Sequence, residues 1–276
     1  MCIPYSRELL QHSLLLTTLV YEYGETLNPN SNMPLTEYAA DEKNFVHASQ
    51  FTRRAVSMLK HMSPYGEVQY FKENVESDIQ VGITRDDSSK RFTVVFRGSE
   101  SFTDWMYDLN ICPHLMSRDV IVHSGFYKQL HDGGVYNDIC TTLKTALRIY
   151  PTYAVCTTGH SLGGALATLF AYEYTTEYKQ YVTIISFGSP KVGNEAFKRS
   201  FSNSPYLKHY RVAVSSDTIT ALPPFYHHVG ILITLSDYKI QVQEEVPWYR
   251  HTVFYSWRFW THSIHTYNTF LNPLCC

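Results

Sequence analysis

The residues of this chain that could break a covalent bond include thirteen histidines, many carboxylates and one serine in an unusual setting. The run Gly159-His160-Ser161-Leu162-Gly163-Gly164 follows a short stretch of strand character, Ala154 to Thr158. It precedes Leu162 to Tyr178, where Leu, Ala and Phe recur at helical spacing. This is strand, tight turn, helix. A serine at the tip of such a turn is held in a strained backbone conformation with its hydroxyl exposed, and Gly159 and Gly163 leave room where strand and helix nearly collide. The first helical N–H groups, beginning with that of Leu162, point towards an oxyanion formed beside the serine. A Gly-rich turn with a capping serine is the blander alternative, and the flanking elements tell against it. A serine hydroxyl is too weakly acidic to attack an ester unaided. It needs a general base, and the base needs a partner that fixes its tautomer and stabilises its charge.

The elements that must position such a group are legible as alternating periods. Strand-length runs occur at Ile79 to Thr84, Phe92 to Phe96, Ala154 to Thr158, Val182 to Phe187 and Tyr210 to Val214. Helix-length segments lie between them at Phe126 to Ile149, Leu162 to Tyr178 and Asn194 to Ser202. Strands alternating with helices imply an α/β protein, with a mostly parallel central sheet flanked by helices on both faces. Ligands of such sheets bind in the crevice at the carboxyl ends of the strands, so chemistry is expected just after each run. No repeat or linker divides the chain. The expectation is a single domain over 1–276, in which 1–78 form a helical and loop region packed on a core at 79–271.

A formal net charge of −2 with no long basic run offers no footprint for nucleic acid. Cys2, Cys112, Cys140, Cys156, Cys275 and Cys276 show neither the CxxC pairs of a zinc site nor the dense spacing of a disulfide scaffold, and are read as reduced, small apolar residues. The terminal Cys275-Cys276 pair is either an inert tail or a lipid attachment point. The apolar patch Leu14 to Val20 follows Arg7 and Glu8 and contains two threonines. It has neither the layout of a signal peptide nor the length of a membrane span, and reads as an amphipathic helix packed on the domain. A cytoplasmic or peripheral membrane location is expected.

Several motifs beyond the serine occur in one order. They are Val94-Val95-Phe96-Arg97-Gly98-Ser99, Asp104-Trp105 with Asp108-Leu109, Val122-His123-Ser124-Gly125-Phe126, and Phe187-Gly188-Ser189-Pro190-Lys191-Val192-Gly193-Asn194. With GHSLGG they resemble the class 3 lipases, α/β-hydrolases related to fungal triacylglycerol lipases, over roughly Arg85 to Leu271. The resemblance implies the α/β-hydrolase fold, with its order Ser, acid, His. It aligns Asp217, in Ser215-Ser216-Asp217-Thr218 ahead of Leu222-Pro223-Pro224, with the catalytic acid, although Thr218 stands where the family has proline. Asp237 lies beyond His228-Val229-Gly230, which resembles a structural family motif, and competes poorly. The base is expected near the C-terminus, in Thr261-His262-Ser263-Ile264-His265-Thr266-Tyr267. There His262 fits the spacing to Tyr267 and His265 is the alternative. Ser99, just past a strand, is expected to supply one half of the oxyanion hole and the Leu162 N–H the other. Arg97, Trp105, His123, His227 and His251 are read as structural, and Gly188, Pro190 and Gly193 as shaping a loop near the site.

The family commonly carries a lid after the first oxyanion residue. Here Glu100 to Asp119 holds Phe102, Trp105, Met106, Tyr107, Leu109, Ile111, Leu115 and Met116; Trp105 and Leu109 are read as core, and the rest as an apolar flap suited to acyl chains and to peripheral contact with a lipid surface. The reading is thus a carboxylic ester hydrolase acting on acylglycerols, phospholipids or another lipid ester. It needs no cofactor and no metal: His262 and His265 have ligand-like spacing, but there is no HExxH and no paired carboxylates beside them. Its rival is a lipase-like scaffold or signalling protein without catalysis. The oligomeric state is left open by the sequence.

Overall fold

The computed structural model describes residues 6–21, 67–74, 79–98, 112–236, 239–243 and 262–274. In chain order the elements begin with helix α1 (Arg7–Val20) and strands β1 (Glu67–Asn74), β2 (Ile79–Asp86) and β3 (Arg91–Phe96). A hairpin of β4 (Pro113–Ser117) and β5 (Val120–His123) leads into helices α2 (Ser124–His131) and α3 (Val135–Ile149). Then come β6 (Ala154–His160), α4 (Leu162–Tyr178), β7 (Val182–Phe187), α5 (Glu195–Ser202), β8 (Leu207–Val214), β9 (Ile231–Ser236), β10 (Lys239–Gln243) and α6 (Ile264–Leu274).

Eight strands form one sheet in the order β1-β2-β3-β6-β7-β8-β9-β10. The stretch from β3 to β9 is parallel, and antiparallel strands complete both edges. Successive side chains of a strand face opposite ways, so each face needs its own cover. Val182 and Ile184 join Phe92, Val94 and Phe96 in a core under α2, α3, α4 and α5. Ile185 and Phe187 join Tyr210, Val212 and Ile233 in a second core under α1 and α6. Burying each such side chain stabilises the fold by roughly 1.5–3 kcal/mol, and both layers are therefore held firmly to the sheet. The central α4 is buried from Leu162 through Tyr172, consistent with a helix enclosed by the sheet and its neighbours.

The structure corrects several expectations. The sheet begins within the segment expected to be helix and loop, because β1 pairs with β2 from Glu67 onward. The single helix expected over Phe126 to Ile149 is two helices, since Gly133 and Gly134 take φ of 62° and 72°, values at which a right-handed helix cannot continue. The end of the expected lid is a strand: β4 pairs with β5, leaving Leu115 exposed while Met116 packs on the core. Residues 100–111 lie outside the described ones. Helix α1 is not amphipathic in its burial, because from Leu10 to Val20 all but Gln11 are buried. Its polar residues find internal partners: Thr17 meets Thr158 at 3.1 Å, and Thr18 accepts from Asn268 of α6 at 2.9 Å. Of the cysteines described, Cys140 and Cys156 are buried and Cys112 is exposed, all as free thiols; Cys2, Cys275 and Cys276 lie outside the described residues. Among the described residues no helix is long and apolar enough to cross a membrane.

Candidate active site

Strand β6 ends at His160, and the next residue reverses the chain. Ser161 has φ 57° and ψ −127°, a conformation that costs on the order of 1–3 kcal/mol for a residue with a side chain and persists only where its surroundings enforce it. The enforcement is visible. The Ser161 N–H donates to Phe187 O on β7 at 2.9 Å, and the Ser161 carbonyl accepts from Gly164 N at 3.0 Å as α4 begins. A Cβ on Gly159 would strike the backbone of Gly163, and one on Gly163 would strike the carbonyl of Phe96. The two glycines are thus fixed by the close approach of β3, β6 and α4, and Ser161 is delivered to the amino end of a helix, where N–H dipoles converge.

Past the end of β8, the Asp217 N–H returns to Val214 O at 2.9 Å, turning the chain. Its carboxylate receives three donors. Ile219 N reaches Oδ1 at 3.0 Å, while the Tyr267 hydroxyl at 2.6 Å and His262 Nδ1 at 2.9 Å both reach Oδ2. Thr218, where the family has proline, opens a short 3-10 turn (Thr218–Ala221) capped by Asp217 itself. The loop after β7 closes over this group. Gly188 takes φ 58°, and a Cβ there would stand 2.9 Å from both Asp217 Oδ2 and the Tyr267 oxygen and 3.1 Å from His262 Cε1. Glycine meets both demands at that position. Asn194 of the same segment caps α5 through Phe197 N and also accepts from Ile121 N, tying the hairpin to the loop.

His262 lies just ahead of α6, and its Nε2 is 2.7 Å from Ser161 Oγ. Asp217, ringed by donors, serves as an acceptor, so the proton of neutral His262 sits on Nδ1 and the Nε2 lone pair faces the serine hydroxyl. Serine, histidine and aspartate form one continuous chain, all buried. Of the two candidate histidines, His262 is the one whose ring touches both Ser161 and Asp217. His265 follows three residues later in α6, half-buried. Such a chain can move the serine proton to an imidazole and hold the resulting imidazolium against a carboxylate.

Ser99, Trp105 and His251 lie outside the described residues, and the Leu162 N–H opens α4 directly after Ser161. Arg97 places its guanidinium over the Tyr21 ring, 5.8 Å from the centroid. His123 accepts from Gly125 N and stacks on Phe126, and burial pushes its pKa down to about 4, as suits a packed structural group. His227 pairs with Glu195 at 3.2 Å. No cluster of three or more His, Cys, Asp or Glu side chains that could hold a metal ion occurs among the described residues. Two participants had no signal of their own in the sequence. Tyr267 served there only as a spacing mark, yet it donates to Asp217. Burial first, then the charge and hydrogen bond of Asp217, hold its pKa well above the ordinary range, so it stays a donor. The other is His160, whose Nε2 lies 2.6 Å from the His262 carbonyl.

Comparison with known proteins adds findings of three kinds. Residues 93–227 match the family described as lipase (class 3), a span that includes Ser161 and Asp217 and stops short of His262. A lipase of Rhizomucor miehei is 34% identical over 153 residues, 53% of this chain and 41% of that protein. A chloroplastic phospholipase A(1) of Arabidopsis thaliana is 31% identical over 181 residues, 56% of this chain and 40% of that protein. The chain thus spans less than half the length of these two relatives. Among solved structures, a triacylglycerol lipase described as having a serine protease triad at its catalytic centre superposes with a TM-score of 0.74 at 22% identity, covering 95% of this chain and 94% of that one. At that identity the likeness speaks for the fold, which is the α/β-hydrolase fold.

Proposed function

We propose that this chain, which belongs to the class 3 lipase family, is a serine carboxylic ester hydrolase acting on lipid esters through an acyl-enzyme. The observation that supports this most directly is the unbroken path from Ser161 Oγ through His262 to Asp217, with contacts of 2.7 and 2.9 Å. Ser161 attacks the ester carbonyl while His262 Nε2 takes its proton. Asp217 holds the Nδ1–H tautomer and balances the imidazolium. The tetrahedral oxyanion is received by the Leu162 N–H at the start of α4 and by Ser99. His262 then returns the proton to the leaving alcohol, and a water molecule repeats the sequence to release the acid. None of these steps calls for a metal or a cofactor.

Acylglycerols and phospholipids are both within the proposed substrate class, since relatives named for each chemistry match this chain. The chain acts as one catalytic domain, in the cytoplasm or at the periphery of a lipid surface. The test is hydrolysis of nitrophenyl esters of increasing acyl length together with labelling by a fluorophosphonate. Wild type should turn over and label, and Ser161→Ala should do neither. A Ser161→Ala protein that keeps full turnover would sink the assignment, and a wild type that neither labels nor hydrolyses would favour the non-catalytic scaffold.

A further inference from the structure

His160 directly precedes the nucleophile, and its ring is interior, with the residue only 4% exposed. Nε2 lies 2.6 Å from the carbonyl oxygen of His262, and Nδ1 lies 2.9 Å from the hydroxyl of Tyr21, at the end of α1. The proton positions follow from elementary chemistry. A carbonyl oxygen can only accept, so Nε2 carries the hydrogen. The neutral ring then has a lone pair at Nδ1, and Tyr21 must be the donor there. Burial, followed by the charge of His262, holds the His160 pKa well below the ordinary range, so the neutral ring is the form present. The ring also packs against His262, with centroids 4.8 Å apart, and lies edge-on to Tyr267 at 5.5 Å.

Resting on the proposed role of His262 as general base, we propose that His160 and Tyr21 are positioning residues for that base. The Tyr21 hydroxyl fixes the tautomer of His160, and the Nε2–H of His160 anchors the backbone from which the His262 ring projects towards Ser161. Without the hydroxyl, His160 can carry its proton on Nδ1 instead. Its Nε2 lone pair then faces the His262 carbonyl, and an attraction becomes a repulsion beside the reacting atoms. The same pair borders the loop that leaves β3: a Cβ on Gly98 would strike the Tyr21 hydroxyl and stand 2.6 Å from the His160 carbonyl. One helix end thus braces both the loop leading to Ser99 and the segment that carries His262.

The experiment compares the full chain with Tyr21→Phe, His160→Met and His160→Gln on a soluble short-chain nitrophenyl ester. It measures kcat, KM, the pH dependence of kcat, and the far-UV spectrum and melting temperature. Tyr21→Phe should lower kcat about 10-fold with KM within about twofold, and His160→Met should lower it by roughly 30-fold or more, both with a displaced acidic limb of the pH profile. Gln at 160 can still donate to the His262 carbonyl and should recover most of the loss. If His160→Met does not fold, Tyr21→Phe, which removes a single oxygen atom, carries the test alone. Wild-type kcat and an unmoved pH profile in folded Tyr21→Phe would overturn the inference, as would losses that merely track the folded fraction. Failure of the underlying hydrolase reading looks different, because wild type itself would then be inactive.

Discussion

His262 and His160 are two buried imidazoles stacked 4.8 Å apart, and they are wired in opposite senses. His262 gives its Nδ1 proton to a carboxylate and turns a lone pair towards a hydroxyl. His160 gives its Nε2 proton to a carbonyl and takes one from a phenol. Adding a second proton to His262 creates an ion pair with Asp217 inside the protein, where a charge-assisted bond is about twice as strong as a neutral one. Adding one to His160 puts both ring nitrogens in the donor state, with no carboxylate contact among the described residues to receive the charge. Burial alone therefore does not make a histidine a base. The partner on the far nitrogen decides it, and the two environments separate within a few ångströms.

That contrast can be broken from the His262 side first. His262→Ala should abolish turnover to the extent seen when a serine hydrolase loses a triad member, on the order of 10⁴-fold or more in kcat, measured on a short-chain ester. Asp217→Asn should cost on the order of 10³–10⁴-fold, because an amide no longer selects the Nδ1–H tautomer. A loss below about tenfold there would show that the carboxylate is not what distinguishes the two rings. Tyr267→Phe removes one of three donors to that carboxylate, and should lower kcat by about tenfold while costing about 1–3 kcal/mol of stability in urea unfolding.

The His160 side of the contrast can be sharpened through pH. Burial also pushes His12 and His123 down to pKa values of about 4. His12 stands 4.0 Å from Asp86, but with its pKa depressed, burial outweighing the carboxylate, it is neutral near pH 7 and that contact is not then an ion pair. With folded pKa values below the unfolded 6.5, the unfolded chain binds protons first. Stability from these groups is therefore whole above about pH 6.5 and is lost as the pH falls towards 4. At pH 5 each should have lost about 2 kcal/mol, and His12→Gln should flatten the slope of unfolding free energy against pH. The smallest effect is expected at His265, three residues from the base. His265→Gln should keep kcat within about twofold, and a large loss would reopen the choice between the two histidines.

The Ser161 turn is legible because its signal is local: the glycines, the strand before and the helix after all sit within some two dozen residues. Strands β2, β3, β6, β7 and β8 announced themselves by apolar runs for the same reason. What escaped was set by distant contacts. In β1, the sequence Glu-Val-Gln-Tyr-Phe-Lys-Glu-Asn interleaves charge with apolar residues, as an edge strand does, and only pairing with β2 marks it as part of the sheet. Strand β9, Ile-Leu-Ile-Thr-Leu-Ser, differs: its apolar run is as local as those of its neighbours, and it adds to β8 in parallel. The polar residues of α1 suggested a wet face, but the partners that let Thr17 and Thr18 be buried are Thr158 and Asn268. His262 and His265 lie within one turn of each other; the spacing to Tyr267 favours His262, and what separates the two rings in space is the contact with Asp217, 45 residues earlier. Tyr21 and His160 are 139 residues apart and carry no motif that joins them.

The bond between Asn268 and Thr18 closes a loop of 250 residues, binding α6 to α1 directly behind the site. On a chain emerging from the ribosome, Ser161 precedes His262, its hydrogen-bond partner, by 101 residues. The path from Ser161 through His262 to Asp217 therefore cannot close until α6 has been made and has docked against α1. The assembled site thus reports on the docking of α6 as much as on the presence of the serine.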